Sequence, residues 1–204
     1  GAGQLVSGHE VDASAKAAGT DVGTYPGTIT DAKDVKIKDA DGKDVTKNYN
    51  IKTAPGQLVI EVAESFSITL NDKTEGYNAE AHYLTAATSG AATGATTIKY
   101  ALEEDAADDE WYDSVEEAVL GRTDVGSTTI YAKATNPNYE NEAKDSAVLT
   151  VTAREITLTG NSDTKTYTGK ELEVTGFTAG AGQLVSGHEV DASAKAAGTD
   201  VGTY

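Results

Sequence analysis

Apolar and polar residues alternate in short runs along most of the chain, the signature of half-buried β-strands. The alternation predicts strands near 155–159, 171–177, 9–15, 24–30, 34–38, 48–53 and 57–63. A second set falls near 66–70, 82–86, 97–102, 127–134 and 147–153. Leu58, Ile60 and Val62 point one way along one of these strands, and Leu149 and Val151 share a face in another. One stretch departs from period two. In Ser114-Val-Glu-Glu-Ala-Val-Leu-Gly121, Ser114 and Glu117 form a capping-box pattern, and Val115, Val119 and Leu120 fit one helical face. A helix of about two turns is expected there. Between Lys33 and Lys47 the pattern predicts a hairpin with Asp41-Gly42 as its turn.

The same landmarks recur in the same order. Residues 180–204 repeat residues 1–25 without a substitution, at a period of 179 residues. Inside that period lies a diverged, shorter one. Phe66-Ser-Ile-Thr-Leu matches Arg154-Glu-Ile-Thr-Leu-Thr, and Tyr77-Asn-Ala-Glu-Ala matches Tyr167-Thr-Gly-Lys-Glu. Thr20-Asp-Val-Gly-Thr-Tyr matches Thr123-Asp-Val-Gly-Ser-Thr-Thr-Ile-Tyr, and Lys47-Asn-Tyr-Asn-Ile matches Pro137-Asn-Tyr-Glu-Asn. The runs from Gly56 and Ser146 close the series. One domain type in two versions is therefore expected. Type B runs whole from 66 to 153. Type A is split, with its C-terminal part at 1–65 and its N-terminal part at 154–204. Junctions at Val62–Phe66 and Val151–Glu155 carry no Gly/Ser-rich or Pro-rich linker, so stiff joints are expected. The expected fold is all-β with one short helix: small Ig-like β-sandwiches or β-grasp-like domains placed end to end. The Asp-Val-Gly turns before Tyr25 and Tyr131 resemble the tyrosine corner of immunoglobulin-like sandwiches, in which a Tyr hydroxyl ties down a loop.

Composition narrows the function classes. The 204 residues hold 21 glycines, few aromatics and no cysteine, which excludes disulfides, a thiol nucleophile and Cys-ligated metal. A formal charge of -17 argues against nucleic acid and against an anionic membrane surface. No apolar run reaches transmembrane length. The repeat phase predicts that the chain starts and stops within a longer array, so targeting or anchoring signals would lie outside it.

The strings Y-T-G-K-E, T-D-V-G-T-Y-P, D-A-D-G-K-D-V-T-K-N-Y-N-I and G-Q-L-V-I resemble the MBG-type repeats of large bacterial cell-surface proteins. G-Y-N-A-E, T-D-V-G and P-N-Y-E-N in the other version are similar to the related "YDGK" repeats, and together the likeness covers essentially the whole chain. The resemblance implies an extracellular, wall-attached or filamentous protein of a Gram-positive-like bacterium. In such a protein many domains hold an adhesive tip away from the cell, and the partners are neighbouring identical repeats. Head-to-tail self-association would complete the split domain.

Candidate sites are few. Asp39, Asp41 and Asp44 flank Gly42 as in the start of a calcium loop, but no bidentate Glu follows at the required spacing, and Asp-Gly is also a common hairpin turn. Calcium is thus the only cofactor to consider, and the turn reading outweighs it. The acidic run 103–110 reads as a solvated face. Trp111 and Tyr112 form the best candidate platform for stacking a sugar, which supports an alternative reading as a glycan- or mucin-binding module acting by avidity. A stapling role for buried rings is the commoner use of such a pair. Ser7 and His9 only share a strand face, with no third member of a triad in reach, and Gly1-Ala-Gly3 lacks the Lys of a phosphate loop. No catalysis is expected. Lys73, Lys165 and Lys170 sit near first strands, where Lys–Asn isopeptide bonds form in Cys-free surface domains, but nothing in the sequence singles out an acceptor.

Overall fold

A computed structural model describes residues 5–204. The glycine-rich start Gly1–Gly3 lies outside the described residues. The protein is all-β, with sixteen strands and three single-turn 3-10 helices among the described residues. In chain order the first six strands are β1 (Glu10–Asp12), β2 (Ala15–Lys16), β3 (Gly23–Pro26), β4 (Thr28–Ile29), β5 (Lys36–Lys38) and β6 (Gln57–Ile60). The next six are β7 (Ile68–Thr69), β8 (Lys73–Gly76), β9 (Thr88–Ser89), β10 (Thr97–Ala101), β11 (Gly126–Thr135) and β12 (Ala143–Thr152). Last come β13 (Leu158–Gly160), β14 (Leu172–Thr175), β15 (Phe177–Ala179) and β16 (Lys195–Gly198).

The chain divides into two compact units. One gathers the chain up to Ile68 with Ser89–Ile98 and Lys133–Lys144; the other holds Thr69–Thr88, Lys99–Ala132 and Asp145–Tyr204. In the first unit, antiparallel pairs join β1 to β5, β2 to β4 and β3 to β6. The expected hairpin turn is present: the Asp39 amide donates to the Lys43 carbonyl at 3.0 Å, and Gly42 takes a φ of 77°, which favours glycine. Val35 and Ile37 lie buried beneath it. The strand expected at 48–53 does not form. Residues 46–48 wind into a 3-10 turn that closes with the Tyr49 amide on the Thr46 carbonyl at 3.0 Å.

The second unit holds most of the core. Leu120, Ile130, Leu149 and Val151 are fully buried, with Tyr100, Trp111 and Val115 around them. Strands pair in the order β10-β11-β12-β8, and β8 runs parallel to β12 with Val151 opposite Glu75. β8 was not visible in the sequence pattern, because Lys73-Thr-Glu-Gly is polar on both faces. The first strand is split. β7 pairs with β9 in a separate sheet, while β8 joins the main one. Two carboxylates span the break: Asp145 accepts from the Leu70 amide at 2.8 Å, and Asp72 from the Val148 amide at 2.7 Å. Two sheets fed by one split strand give a sandwich-like arrangement.

Two further segments differ from the expected pattern. Residues 82–86 are not a strand; only His82 bridges to Arg122. The two-turn helix at Ser114–Gly121 is also absent, and only Ala118–Leu120 forms a 3-10 turn. Seven residues carrying two β-branched valines cannot repay helix nucleation. Burial confirms that no single apolar face exists, since Val115 and Leu120 are inside while Val119 is 47% exposed. Ser114 instead caps the Glu116 amide at 3.1 Å. With no α-helix among the described residues, the feature that favoured a β-grasp is gone.

Burial is uneven along the chain. Fifteen of the seventeen buried hydrophobic residues lie within 66–153, and among the described residues none lies beyond Val151. Conversely, ten of the thirteen exposed large hydrophobic side chains lie in 5–65 and 154–204. Leu58 and Ile60 show the effect: they share a strand face, as Leu149 and Val151 do, but are only half buried.

Candidate functional site

The Asp-Val-Gly motif occurs three times and forms a corner each time. In the first, the Tyr25 hydroxyl donates to the Asp21 carbonyl at 2.7 Å and meets the Asp21 amide at 3.2 Å. In the third, Tyr204 repeats the bond to the Asp200 carbonyl at 3.0 Å. A Cβ on Gly19 or Gly198 would run into the tyrosine ring, so these positions must stay bare. This is the geometry of a tyrosine corner. The middle corner is built differently. Tyr131 lies within β11, and Arg122 takes over, its guanidinium donating to the Val125 carbonyl at 3.0 Å and to the Thr128 hydroxyl at 3.1 Å. Gly126, at φ 139°, lies under that guanidinium, where a Cβ would collide with it.

The first corner is occupied. The Asn138 carboxamide, 9% exposed, accepts from the Val22 amide at 2.9 Å and donates to the Asp21 carboxylate at 2.7 Å. Its remaining donor reaches the Thr93 hydroxyl at 3.0 Å. Asn136, also buried, holds this residue in place. It accepts from the Asn138 amide at 2.9 Å and donates to the Thr93 carbonyl and the Thr96 hydroxyl at 3.0 and 2.8 Å. Buried polar groups are costly unless satisfied, and each Asn here spends its carboxamide on specific partners. Backbone reinforces the clamp. The Ala63 amide donates to the Asn138 carbonyl and the Glu140 amide to the Ala63 carbonyl, both at 2.9 Å. The Phe66 and Tyr139 rings pack with centroids 5.0 Å apart, and Asn141 brackets the Phe66 backbone at 3.0 and 3.1 Å.

The Lys47-Asn48-Tyr49 turn matches Pro137-Asn138-Tyr139 in detail. Tyr49 closes on Thr46 as Tyr139 closes on Asn136, at 3.0 and 3.1 Å. Each tyrosine hydroxyl then accepts a loop amide, from Val6 at 3.3 Å and from Ala92 at 3.0 Å. Asn48, however, is exposed.

Asp39 accepts from the Asp41 and Lys43 amides at 3.1 and 2.9 Å, and Asp44 accepts from the Thr46 amide at 2.9 Å. Bonds from the Thr46 side chain and backbone, with Lys36 and Lys38 nearby, hold the Asp44 carboxyl below its usual range. The three carboxylates shape turns, and no group of metal-ligating side chains converges among the described residues. Trp111 is 7% exposed with its indole N–H on the Ala106 carbonyl at 3.0 Å, so the ring staples the acidic segment to the core. Tyr112 is half buried and exchanges backbone bonds with Tyr100 at 2.8 Å. His9 meets the Tyr49 hydroxyl at 2.6 Å, and Lys73 donates to the Tyr83 carbonyl at 3.1 Å. Lys165 donates to the Glu173 carbonyl at 2.6 Å, and Lys170 is exposed.

Asn136, Asn138 and Arg122 carry the clamp and the middle corner, and sequence reasoning did not single them out. The repeated Asn-Tyr pair was visible as a landmark, but nothing in one sequence separates a register marker from a buried carboxamide. Compared with known proteins, the chain matches no family model and no curated sequence.

Proposed function

We propose that the chain is shaft: a structural, non-enzymatic repeat of a secreted bacterial surface protein that spaces an adhesive region from the cell. The observation that carries this reading is the Asn138 clamp on the Asp21–Val22 corner. It ties residues preceding Phe66 to loops of the 66–153 repeat through buried, fully used carboxamides rather than a linker. A joint of this kind resists bending, as a shaft requires. The finer fold reading is Ig-like, supported by the tyrosine corners and by a split first strand that runs parallel to the last.

The split of type A into 1–65 and 154–204 is part of the same proposal. Its support is the thin core of the two stretches, where only Val35 and Ile37 are buried hydrophobic residues among those described, and a groove of about 560 Å³ over Leu172, Val174, Ala197, Val201 and Tyr204. A neighbouring repeat would fill that groove. The shared stretch also accepts partners on opposite edges. The Ser14 carbonyl takes the Thr30 amide, whereas the Ala194 carbonyl, one position later in the copy, takes the Gly176 amide, both at 2.9 Å. Adjacent residues of a strand face opposite edges, so the complete domain places this strand centrally, with β14 on one side and β4 on the other.

Small-angle scattering on chains of two, three and four periods tests the proposal. The expected maximum dimension grows in proportion to the number of periods. Growth nearer the square root of that number, the behaviour of a flexible string, overturns it.

A further inference from the structure

Three Asp-Val-Gly corners share one motif, and their exposure differs with what sits on them. Val22, under Asn138, is half buried; Val125 is 52% exposed and Val201 is 88% exposed. Among the described residues, no hydrogen-bond partner meets the Val125 amide or the Asp124 carboxylate. The reciprocal surface is equally bare. Asn48 stands in the same turn as Asn138, with the same closing bond and the same tyrosine anchor, yet its carboxamide has no partner among the described residues. The chain thus carries one joined pair of corner and clamp, one unjoined clamp at Asn48, and two unjoined corners, at Asp124–Val125 and Asp200–Val201.

We propose that Asp124 and Val125 of one molecule receive Asn48 of a second copy of this chain. The Asn48 carboxamide accepts from the Val125 amide and donates to the Asp124 carboxylate, as Asn138 does at Val22 and Asp21. Asn138 itself is not available for this seat, because its carboxamide is already spent within its own chain. The contact joins two different surfaces, so it is heterologous and open-ended: each added molecule presents a fresh corner. In an array the same contact joins each type B repeat to the type A repeat after it. Arg122 fits this role, since it holds the Val125 carbonyl while Asp124 and Val125 stay exposed, a brace that the Asp200–Val201 corner does not share. The inference rests on the shaft reading for its meaning, but its chemistry stands separately.

Sedimentation velocity on the 204-residue chain tests it, with Asn48→Ala and Val125→Arg as variants. The average mass of the native chain is expected to rise with concentration without reaching a limit. Each variant alone should associate roughly tenfold or more weakly, the loss expected for a desolvated hydrogen-bonded clamp. An equimolar mixture of the two variants retains one intact Asp124–Val125 seat and one intact Asn48, so it should form a dimer that grows no further. Asp124→Ala, which leaves Arg122 in place, should repeat the loss if Val125→Arg disturbs the turn. A native chain that stays monomeric up to about 1 mM, the weak end of specific affinity, overturns the proposal. So do variants that associate like the native chain. In either case a multi-period chain that still scatters as a rod leaves the shaft reading standing, whereas a clamp that forms in a flexible chain sinks the shaft reading alone.

Discussion

Residues 5–25 and 184–204 carry one sequence in two surroundings, and what they share separates local from borrowed structure. The turns are common to both. His9 and His188 each donate their amide to the carbonyl three residues back at 3.0 Å, after glycines at φ 82° and 83°. Both tyrosine corners close. The strands are not common. Glu10–Asp12 pairs with Lys36–Lys38, while its copy Glu189–Asp191 forms no strand. Ala15–Lys16 pairs with β4, whereas the copy pairs further along, at Lys195–Gly198, with β14. Bonds spanning three or four residues are decided by the segment itself. Ladders are decided by which neighbour is at hand, because a strand leaves its amides unspent until another strand arrives.

The largest expected effect cuts one neighbour away. Val174→Pro removes an amide from the middle of β14 and forces the ladder open. Hydrogen exchange should show Ala196–Gly198 losing about 2–3 kcal/mol of protection, at roughly 1 kcal/mol per lost ladder bond. Lys16, held in the β2–β4 pair of the first copy, should keep its exchange rate. If both copies lose protection together, the strands are not borrowed separately. A second substitution reverses the logic. Gly19→Ala and Gly198→Ala each drive a methyl into the corner tyrosine, and crowding of this kind costs about 1–3 kcal/mol. Since each corner is self-contained, the tyrosine ring resonances should shift alike in both variants. A shift in only one would show that the corner depends on its surroundings.

Much the same division governed what was legible in the sequence. The corners, the Asp41-Gly42 turn and the alternating strands β10, β11 and β12 announce themselves through short-range chemistry or strict period. β8 does not, because Lys73-Thr-Glu-Gly becomes a strand only beside Leu149–Thr152. The failed helix at 114–120 has the same origin. Its apolar residues fit a helical face on paper, but Val115 and Leu120 are drawn separately into the core and Val119 is left outside. Asn138 was hidden for another reason. A carboxamide in a loop looks solvated until the corner that consumes it is folded 116 residues away. Trp111 could be read as a platform or a staple, and only its burial separates the two.

A smaller effect is expected from the corner hydroxyls. Tyr25→Phe and Tyr204→Phe each delete one bond to a carbonyl four residues back, worth about 0.5–1 kcal/mol where water competes. Thermal unfolding should register Tyr25→Phe more clearly, because Tyr25 also sits in β3 opposite Leu58. Equal costs would mean that pairing adds nothing to the corner.

The smallest effect distinguishes Lys16 from Lys195, the same residue in the two copies. Lys195 lies 2.5 Å from Glu173 across the β14–β16 pair, whereas Lys16 faces Thr28 across β2–β4. The hydrogen bond and charge of Lys195 lower Glu173 from its usual 4.5, and Glu173 in turn raises Lys195 from its usual 10.5. A lowered carboxyl stabilises the pair fully above its unfolded pKa and loses that contribution as pH falls through the folded value. A raised ammonium stabilises fully below its unfolded pKa and loses it as pH rises through the folded one. Between those limits the ion pair holds; beyond either of them β14–β16 should loosen while β2–β4 does not respond. Amide exchange at Ala196 and at Lys16, compared from neutral pH down through the carboxylate range, reads the difference directly. Both groups are solvated, so the effect is small, and Glu173→Gln should erase it. A pH response at Lys16 equal to that at Ala196 would mean that the two copies are told apart by something other than their neighbours.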